Sequence, residues 1–362
     1  MVRSAVEREV VRVGVIGAGF GAQVHVPALR RVPGIEVVGL SSANPERLRS
    51  RARDLEIPRT WPDYRAMLKS GAVDAVTIAT PPHLHHPMVL AAAAAQVHVL
   101  CEKPIARNVS EARDMLLLAR QSGICHAVAL HRRNEPAVAH LRRLVTQGYI
   151  GELHSVSITA IRSTLADARQ PSHGWLIDSE RGGGILSTVG SHLIDLLRWW
   201  FGEVHWVSGA IETAVQQRTV DGVSGRRRAT ADDNCACVVR FANGGIGTVH
   251  LSYTAAADVG ETIVVTGSAG MLAIQEGDVL YGAQHGEKMQ RLSRISGQVT
   301  AHERTLRSFS ILGGEWVWAM RTGTDAVPSF DDAVKVQEVV DAVSRSQQLS
   351  RWIDLSGNRW PV

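Results

Sequence analysis

Val11-Arg12-Val13-Gly14-Val15-Ile16-Gly17-Ala18-Gly19-Phe20-Gly21-Ala22 is the stretch on which the fold turns. Val11, Val13, Val15 and Ile16 make a β-rich run that opens directly into glycines spaced G-x-G-x-x-G/A, and a helical pattern follows through Val24, Leu29 and Val32. Strand, glycine turn and helix in that order predict the phosphate-binding start of a dinucleotide site. Gly17 makes the tight turn, Gly19 lets backbone approach a pyrophosphate, and small Ala22 lets the helix pack on the strand. Backbone amides at the helix N-terminus, around Phe20 and Gly21, hold the phosphates. A second strand over Ile35 to Leu40 gives the glycines the context they need.

About twenty residues on, an acid for the ribose 2′-hydroxyl is expected and missing. After Leu40 the chain reads Ser41, Ser42, Ala43, Asn44, Pro45, Glu46, Arg47. Short hydroxyl and amide groups near an arginine suit a 2′-phosphate, which an acid would repel. NADP(H) is therefore the expected cofactor, with NAD(H) as the other candidate. Asn44 and Pro45 also fit the N-cap and first position of the next helix, and both roles can hold together.

The alternation continues. A third strand over Asp74 to Ala79 ends in Thr80, Pro81, Pro82, His83, Leu84, His85 and His86, and a helix over Pro87 to Ala95 leads to Val97-His98-Val99-Leu100-Cys101-Glu102-Lys103-Pro104. A helix from Ser110 to Gln121, capped by Ser110, and a strand near His126 to Leu130 follow. This predicts a doubly wound parallel sheet over residues 10–130. An apolar run that stops at two opposite charges and a proline marks the carboxyl edge of a buried parallel strand, where such sheets bind ligands. Lys103 is thus a candidate active-site residue, or else part of a solvated turn. The histidines after Thr80 lack the Cys or acidic partners of a metal centre, so no metal is expected. His85 reads as a strand-edge group facing a bound ligand.

From about Gly151 the texture changes to long alternating segments: Leu153 to Ile161, Val204 to Thr213, Cys235 to Phe241, Ile246 to Tyr253 and Thr262 to Thr266, with a turn at Asn243, Gly244 and Gly245. They predict a second, α+β domain over residues 131–362 with a large, mostly antiparallel sheet. Ahead of most of it, Gly182, Gly183 and Gly184 break structure and Ser187 starts an apolar helix. There Thr188, His192 and Asp195 share one face. His192 is a structural histidine or, paired with a strand-edge lysine, an acid/base.

The bulk numbers narrow the class. The 362 residues carry a net charge of +4, 45% hydrophobic and 20% charged residues, and 4 cysteines without metal-type spacing. Arg226, Arg227 and Arg228, beside glycines, read as a solvated loop rather than a nucleic-acid patch. The first ten residues, with Glu7, Arg8 and Glu9, lack a signal-peptide core, and the longest apolar run, Met88 to Ala95, is too short to span a bilayer. A cytoplasmic protein is expected, with neither membrane nor nucleic acid as partner.

Together, the glycine turn, Glu102-Lys103-Pro104 and the triple-glycine helix with His192 resemble the Gfo/Idh/MocA family of oxidoreductases, nearly end to end. Thr80, Pro81 and His85 resemble its third-strand motif, and Arg133 with Pro136 its post-Rossmann helix. Asp232 and Asp233 resemble its acidic pair, and Gly267 to Leu272 its Gly-x-x-Gly turn. The resemblance implies hydride transfer between a nicotinamide and a carbinol or ketone carbon of a sugar, polyol or related compound. It also implies a homodimer or homotetramer through the C-terminal sheet. It makes Lys103 the residue that binds the reacting oxygen and His192 the acid/base. Thr80, Pro81, His85 and Glu102 fall beside the cofactor, and Arg133, Trp175 and Thr188 beside the substrate. The chain departs from the family at Thr188, where an aspartate is common, at Leu176, where an arginine is frequent, and at Pro82, where an asparagine is. These departures point to an unusual substrate, and Thr188 lends weight to the rival reading, a dinucleotide-binding regulator without catalysis.

Overall fold

The computed structural model of the chain describes residues 10–275, 278–293 and 299–357. Glu7 to Glu9, read above for a leader, lie outside the described residues. Two compact units are formed, one by Met1–Asn134 with Val299–Lys335 and one by Glu135–Gln298 with Val336–Val362.

The first unit alternates β1 (Val11–Ile16), α1 (Val26–Leu29), β2 (Ile35–Ser41), α2 (Pro45–Asp54), β3 (Arg59–Trp61), α3 (Tyr64–Lys69), β4 (Ala75–Ile78), α4 (His85–Ala94), β5 (His98–Cys101), α5 (Val109–Ser122) and β6 (His126–Val128). The strands make one parallel sheet, as expected, in the order β3-β2-β1-β4-β5-β6, which is that of dinucleotide-binding sheets. Val13, Val15, Leu40, Ile78 and Leu100 are wholly or almost wholly buried, which is why the strands read as continuous apolar runs. Short, largely exposed β3 has no such pattern and was not expected. The cap of α5 is Asn108 rather than Ser110: its Oδ1 accepts the Glu111 amide at 3.0 Å, and Gly123 ends the helix with φ 66°.

The second unit contains α6 (Pro136–Thr146), β7 (Leu153–Ile161), α7 (Ser191–Phe201), β8 (Val204–Glu212), β9 (Gln217–Thr219), β10 (Arg226–Arg228), β11 (Asn234–Phe241), β12 (Ile246–Ser252), β13 (Gly260–Gly267), β14 (Gly270–Gln275), β15 (Val279–Gln284) and β16 (Gln290–Ser293). After them come α8 (Ala301–Thr322), α9 (Phe330–Leu349) and β17 (Ile353–Asp354). The large sheet runs β16-β15-β14-β13-β7-β12-β11-β8-β17, antiparallel except at β7/β12. One face presents Val156, Ile158, Cys235, Cys237, Val249, Leu251, Ile263 and Val265, all buried. The other presents exposed Ser157, Thr248 and His250. The arginines at 226–228 are a correction: they form β10, the exposed strand of a two-stranded ribbon whose other strand, β9, buries Arg218, because cross-strand pairing with Thr219, Arg218 and Gln217 satisfies a backbone that composition alone marked as loop.

A division at 130/131 would place α8 in the second domain. Its apolar stripe instead fills the core of the first: Leu306, Phe309, Leu312 and Trp316 are buried with Val26, Ala28 and Leu29 of α1, and Ser310 donates to the Ala28 carbonyl at 2.9 Å. The stripe has helical spacing, but which sheet it covers is not a local property of the sequence.

Candidate active site

The glycine turn is built as its spacing predicts, with one exchange of roles. Gly17 has φ +120°, and a Cβ there would collide with the Ala79 carbonyl; its amide donates to the Ser41 carbonyl at 2.9 Å. A Cβ on Gly19 would meet nothing within 4 Å, so its backbone faces open space. The close helix-to-strand approach belongs to Gly21, whose Cβ would lie 2.8 Å from Val15 Cγ1, while Ala22 is buried beside it. Bare backbone at Gly17 and open space at Gly19 fit the phosphates of a dinucleotide.

The helix after the turn opens with a π-helical stretch, Gly21–His25. That wide turn carries His25 inward, where it is 0% exposed, its ring 4.2 Å from that of Phe309 and 5.7 Å from that of Phe20. His25 Nε2 lies 3.1 Å from Oε1 of Glu102. Oε2 of the same carboxylate accepts the Lys103 amide at 3.1 Å, and the Lys103–Pro104 peptide is cis. Burial pushes the Glu102 carboxyl up, but the His25 hydrogen bond and the charges of His25, Lys103 and His131 overcome it and hold the group below the usual glutamate range. An ionised, buried carboxylate therefore anchors the backbone of Lys103. Sequence reading missed His25; its signal was a histidine among Val24, Val26 and Leu29, an apolar setting that obliges it to find a polar partner.

His85 departs from its expected role. It is 0% exposed, with Nε2 2.8 Å from the Thr80 carbonyl and Nδ1 3.0 Å from that of Pro104, and burial depresses its pKa. It begins α4, so its side chain points back to the sheet edge and braces the turn after β4 against the turn after β5, rather than facing a ligand. Thr80 Oγ1 donates to the Met88 sulfur at 3.4 Å, and Pro81 precedes the short turn into α4. Arg133 is likewise committed: it is 6% exposed and pairs with Asp332 at 3.0 Å.

At the end of β2, Ser41 is buried, and Ser42 Oγ accepts the Asn44 amide at 3.3 Å. Asn44 Oδ1 caps α2 on the Arg47 amide at 2.9 Å, with Pro45 in the first turn. The structural role of Asn44 is thus occupied, while the Arg47 guanidinium is exposed.

The third element lies in the second unit. Trp175, half-buried, belongs to a loop pinned by Gly183, where any Cβ would collide with the Trp175 and Leu176 carbonyls. Asp232 then caps the segment leading to α7: its Oδ2 accepts the Leu186 amide at 2.8 Å and its carbonyl the Ile185 amide at 2.9 Å. Burial pushes the Asp232 carboxyl up to about 6 against these hydrogen bonds. Asp233 beside it forms a buried pair with Arg218 at 2.9 Å. Residues Leu186–Gly190 are π-helical rather than the start of a regular helix from Ser187. Thr188, His192 and Asp195 are all buried, at 8%, 7% and 1% exposure. Thr188 Oγ1 donates to the Gly184 carbonyl at 2.6 Å and lies 3.0 Å from the hydroxyl of Tyr253, a residue sequence reading did not single out. Among the described residues no group of three or more His, Cys, Asp and Glu is placed to hold a metal ion, and no helix is long and apolar enough to cross a membrane.

These arrangements have counterparts in known proteins. Residues 11–130 match the family described as "Oxidoreductase family, NAD-binding Rossmann fold". Residues 138–273 match the "GFO/IDH/MocA C-terminal domain". The levoglucosan dehydrogenase of Pseudarthrobacter phenanthrenivorans is 28% identical over 95% of this chain and 98% of its own. Human glucose-fructose oxidoreductase domain-containing protein 2 is 28% identical over 94% and 92%. A solved levoglucosan dehydrogenase in complex with NADH superposes with TM-score 0.88 at 26% identity, covering 95% of this chain and 99% of that one. An oxidoreductase domain protein from Kribbella flavida superposes with TM-score 0.88 at 27% identity over 96% and 100%. With both of its units matched in order, the chain belongs to the Gfo/Idh/MocA oxidoreductase family.

Proposed function

We propose that this protein is a dehydrogenase or reductase that exchanges a hydride between NADPH and a carbinol or ketone carbon of a sugar-derived compound, with NADH as the poorer cofactor. The observation that carries the reading is the anchoring of Lys103 by the buried Glu102–His25 pair in the unit that holds the glycine turn. A bound nicotinamide supplies or takes up the hydride. As charge changes on the reacting oxygen, the Lys103 ammonium holds it, and His192 gives or receives the proton. Thr188 contributes hydrogen bonds but no charge, which favours a substrate less polar than an inositol or free glucose. Solved levoglucosan dehydrogenases in complex with NADH and levoglucosan and with NADH and L-sorbose support a sugar-like substrate. The absence of an acid at the end of β2, where Ser41 and Ser42 stand, and the exposed Arg47 support NADPH. We further propose a cytoplasmic homodimer or homotetramer formed through the exposed face of the second unit's sheet.

The test is a screen of NADPH and NADH consumption against keto-sugars and keto-anhydrosugars, with NADP- and NAD-linked oxidation of the matching alcohols. Turnover with NADPH at lower KM than NADH is the expected result. Tight dinucleotide binding with no turnover on the whole panel would overturn catalysis in favour of a regulatory protein, and tighter NADH binding would overturn the cofactor preference.

A further inference from the structure

The π-helical stretch Leu186–Gly190 runs straight into α7, and its N-cap residue, Ile185, has no polar side chain with which to close it. Its first amides are taken instead by Asp232, which stands just ahead of β11: Oδ2 accepts the Leu186 amide at 2.8 Å, across 46 positions, and the Asp232 carbonyl accepts the Ile185 amide at 2.9 Å. The approach is close, since a Cβ on Gly184 would lie 2.1 Å from Asp232 Oδ1. Two further holds come from β12, the strand paired with β11. Gly190 lies against Leu251, where a Cβ would be 3.2 Å from its Cδ1, and Tyr253, just past the end of β12, meets the Thr188 hydroxyl at 3.0 Å. Two paired strands therefore grip one wide helical turn, and His192 is the second residue beyond it. That turn decides which way His192 points. A π-helical turn closes on residue i+5 rather than i+4, and successive residues of a helix are rotated by about 100°. Relaxation of the head to α-helical geometry slips the register by one residue and brings Ser191 or Leu193 round to the place of His192. It requires release of the Ile185 and Leu186 amides, both of which Asp232 holds.

We propose that Asp232 is a positioning residue for His192: its side chain holds the π-helical register that turns the imidazole toward the reacting oxygen. This rests on the reading of His192 as the acid/base. Asp232 touches neither substrate nor cofactor in this role and acts only through the helix it closes.

Steady-state kinetics on the substrate found by the screen above, beside histidine-selective NMR of the full chain with dinucleotide bound, test the proposal; the His192 signal is assigned by its loss in His192→Gln. Asp232→Ala frees the Leu186 amide and is expected to lower kcat by about ten- to a hundredfold, as misplacing a reacting group by about an ångström does. KM and dinucleotide affinity stay within about twofold. Asp232→Asn keeps the acceptor and is expected to hold kcat within about threefold of native, the difference between a charged and a neutral acceptor. The His192 signal is displaced in Asp232→Ala and lies close to its native position in Asp232→Asn. In a His192→Gln background Asp232→Ala lowers turnover no further, because it acts through that ring. Where Asp232→Ala does not fold, Asp232→Ser, whose hydroxyl stops short of the Leu186 amide, takes its place with the same expectations. Native kcat in the Ala or Ser variant, an equal loss in Asp232→Asn, or a loss that adds in full to that of His192→Gln overturns the proposal. Absence of turnover by the native protein on the whole panel overturns instead the reading of His192 as acid/base. The NMR signal then decides the positioning: displaced in Asp232→Ala it supports the role of Asp232, and unmoved it overturns that role as well.

Discussion

The hydroxyl of Thr188 donates its single proton to the Gly184 carbonyl at 2.6 Å, so toward Tyr253, 3.0 Å away, it can only accept. The Tyr253 phenol is therefore the donor of that pair, and the chain of hydroxyls has one direction. Thr188→Val strands the buried Tyr253 hydroxyl and takes from the Gly184 carbonyl one of its two donors, leaving it the Thr188 amide at 3.1 Å, whereas Tyr253→Phe removes one donor from an oxygen that keeps its other bond. Urea unfolding should show a loss of about 1–3 kcal/mol for Thr188→Val and about 1 kcal/mol for Tyr253→Phe. Equal losses would contradict the direction assigned to the chain.

His25 and Glu102 are a buried pair in which removal of one partner strands the other. His25→Leu should cost about 3–5 kcal/mol, because it leaves an uncompensated carboxylate, and adding Glu102→Leu should restore part of that loss. Thermal unfolding of the two single variants and the double variant checks this; strictly additive losses would mean the pair is not coupled. Because the folded carboxyl is held below its usual range, the pair's contribution is present at neutral pH and is lost as pH falls through the depressed value.

Asp232 has the opposite sign. Its carboxyl rises from 3.8 to about 6 in the folded state, so folding favours the protonated form and stability decreases as pH rises between those values. The decrease is on the order of 3 kcal/mol and complete above about pH 6. Asp232→Asn, which keeps an acceptor for the Leu186 amide, should remove this slope in urea melts taken from pH 4 to 7. A slope identical to that of the native protein would exclude Asp232 as its source.

The glycines of the turn separate stability from binding. Gly17→Ala meets both a positive φ and the Ala79 carbonyl, and should destabilise the fold by more than 1 kcal/mol. Gly19→Ala places its methyl in open space; it should unfold within about 0.5 kcal/mol of the native protein yet bind dinucleotide about tenfold more weakly, as fluorescence titration would reveal. Unchanged affinity in Gly19→Ala would place the phosphates elsewhere.

Lys103→Ala should lower turnover by a factor on the order of 10²–10⁴ while dinucleotide affinity stays within about twofold, since the phosphates bind at the glycine turn. Steady-state kinetics beside the same titration decides it; near-native turnover would remove Lys103 from the chemistry.

Much of the fold and half of the candidate site are local. The run of valines before Gly17, the glycine spacing, Asn44 ahead of Pro45 and the alternation of Leu153 to Ile161 each express a preference of side-chain period or backbone φ that acts within a few residues, and each forms where the chain predicts it. What joins these pieces is not local. His25 meets Glu102 across 77 positions, Thr188 meets Tyr253 across 65, and Arg133 is taken by Asp332 across 199. Nothing within α8 says that its apolar stripe covers the first unit's core, and His85 was legible as a strand-edge residue, but not as a buried brace. Periodicity and turn chemistry are carried by each short segment on its own, so sequence alone determined the longer strands of both units and the glycine turn, though not short β3 or the β9/β10 ribbon. Which buried polar group meets which depends on the order in which strands lie side by side, and only the tertiary structure decided that.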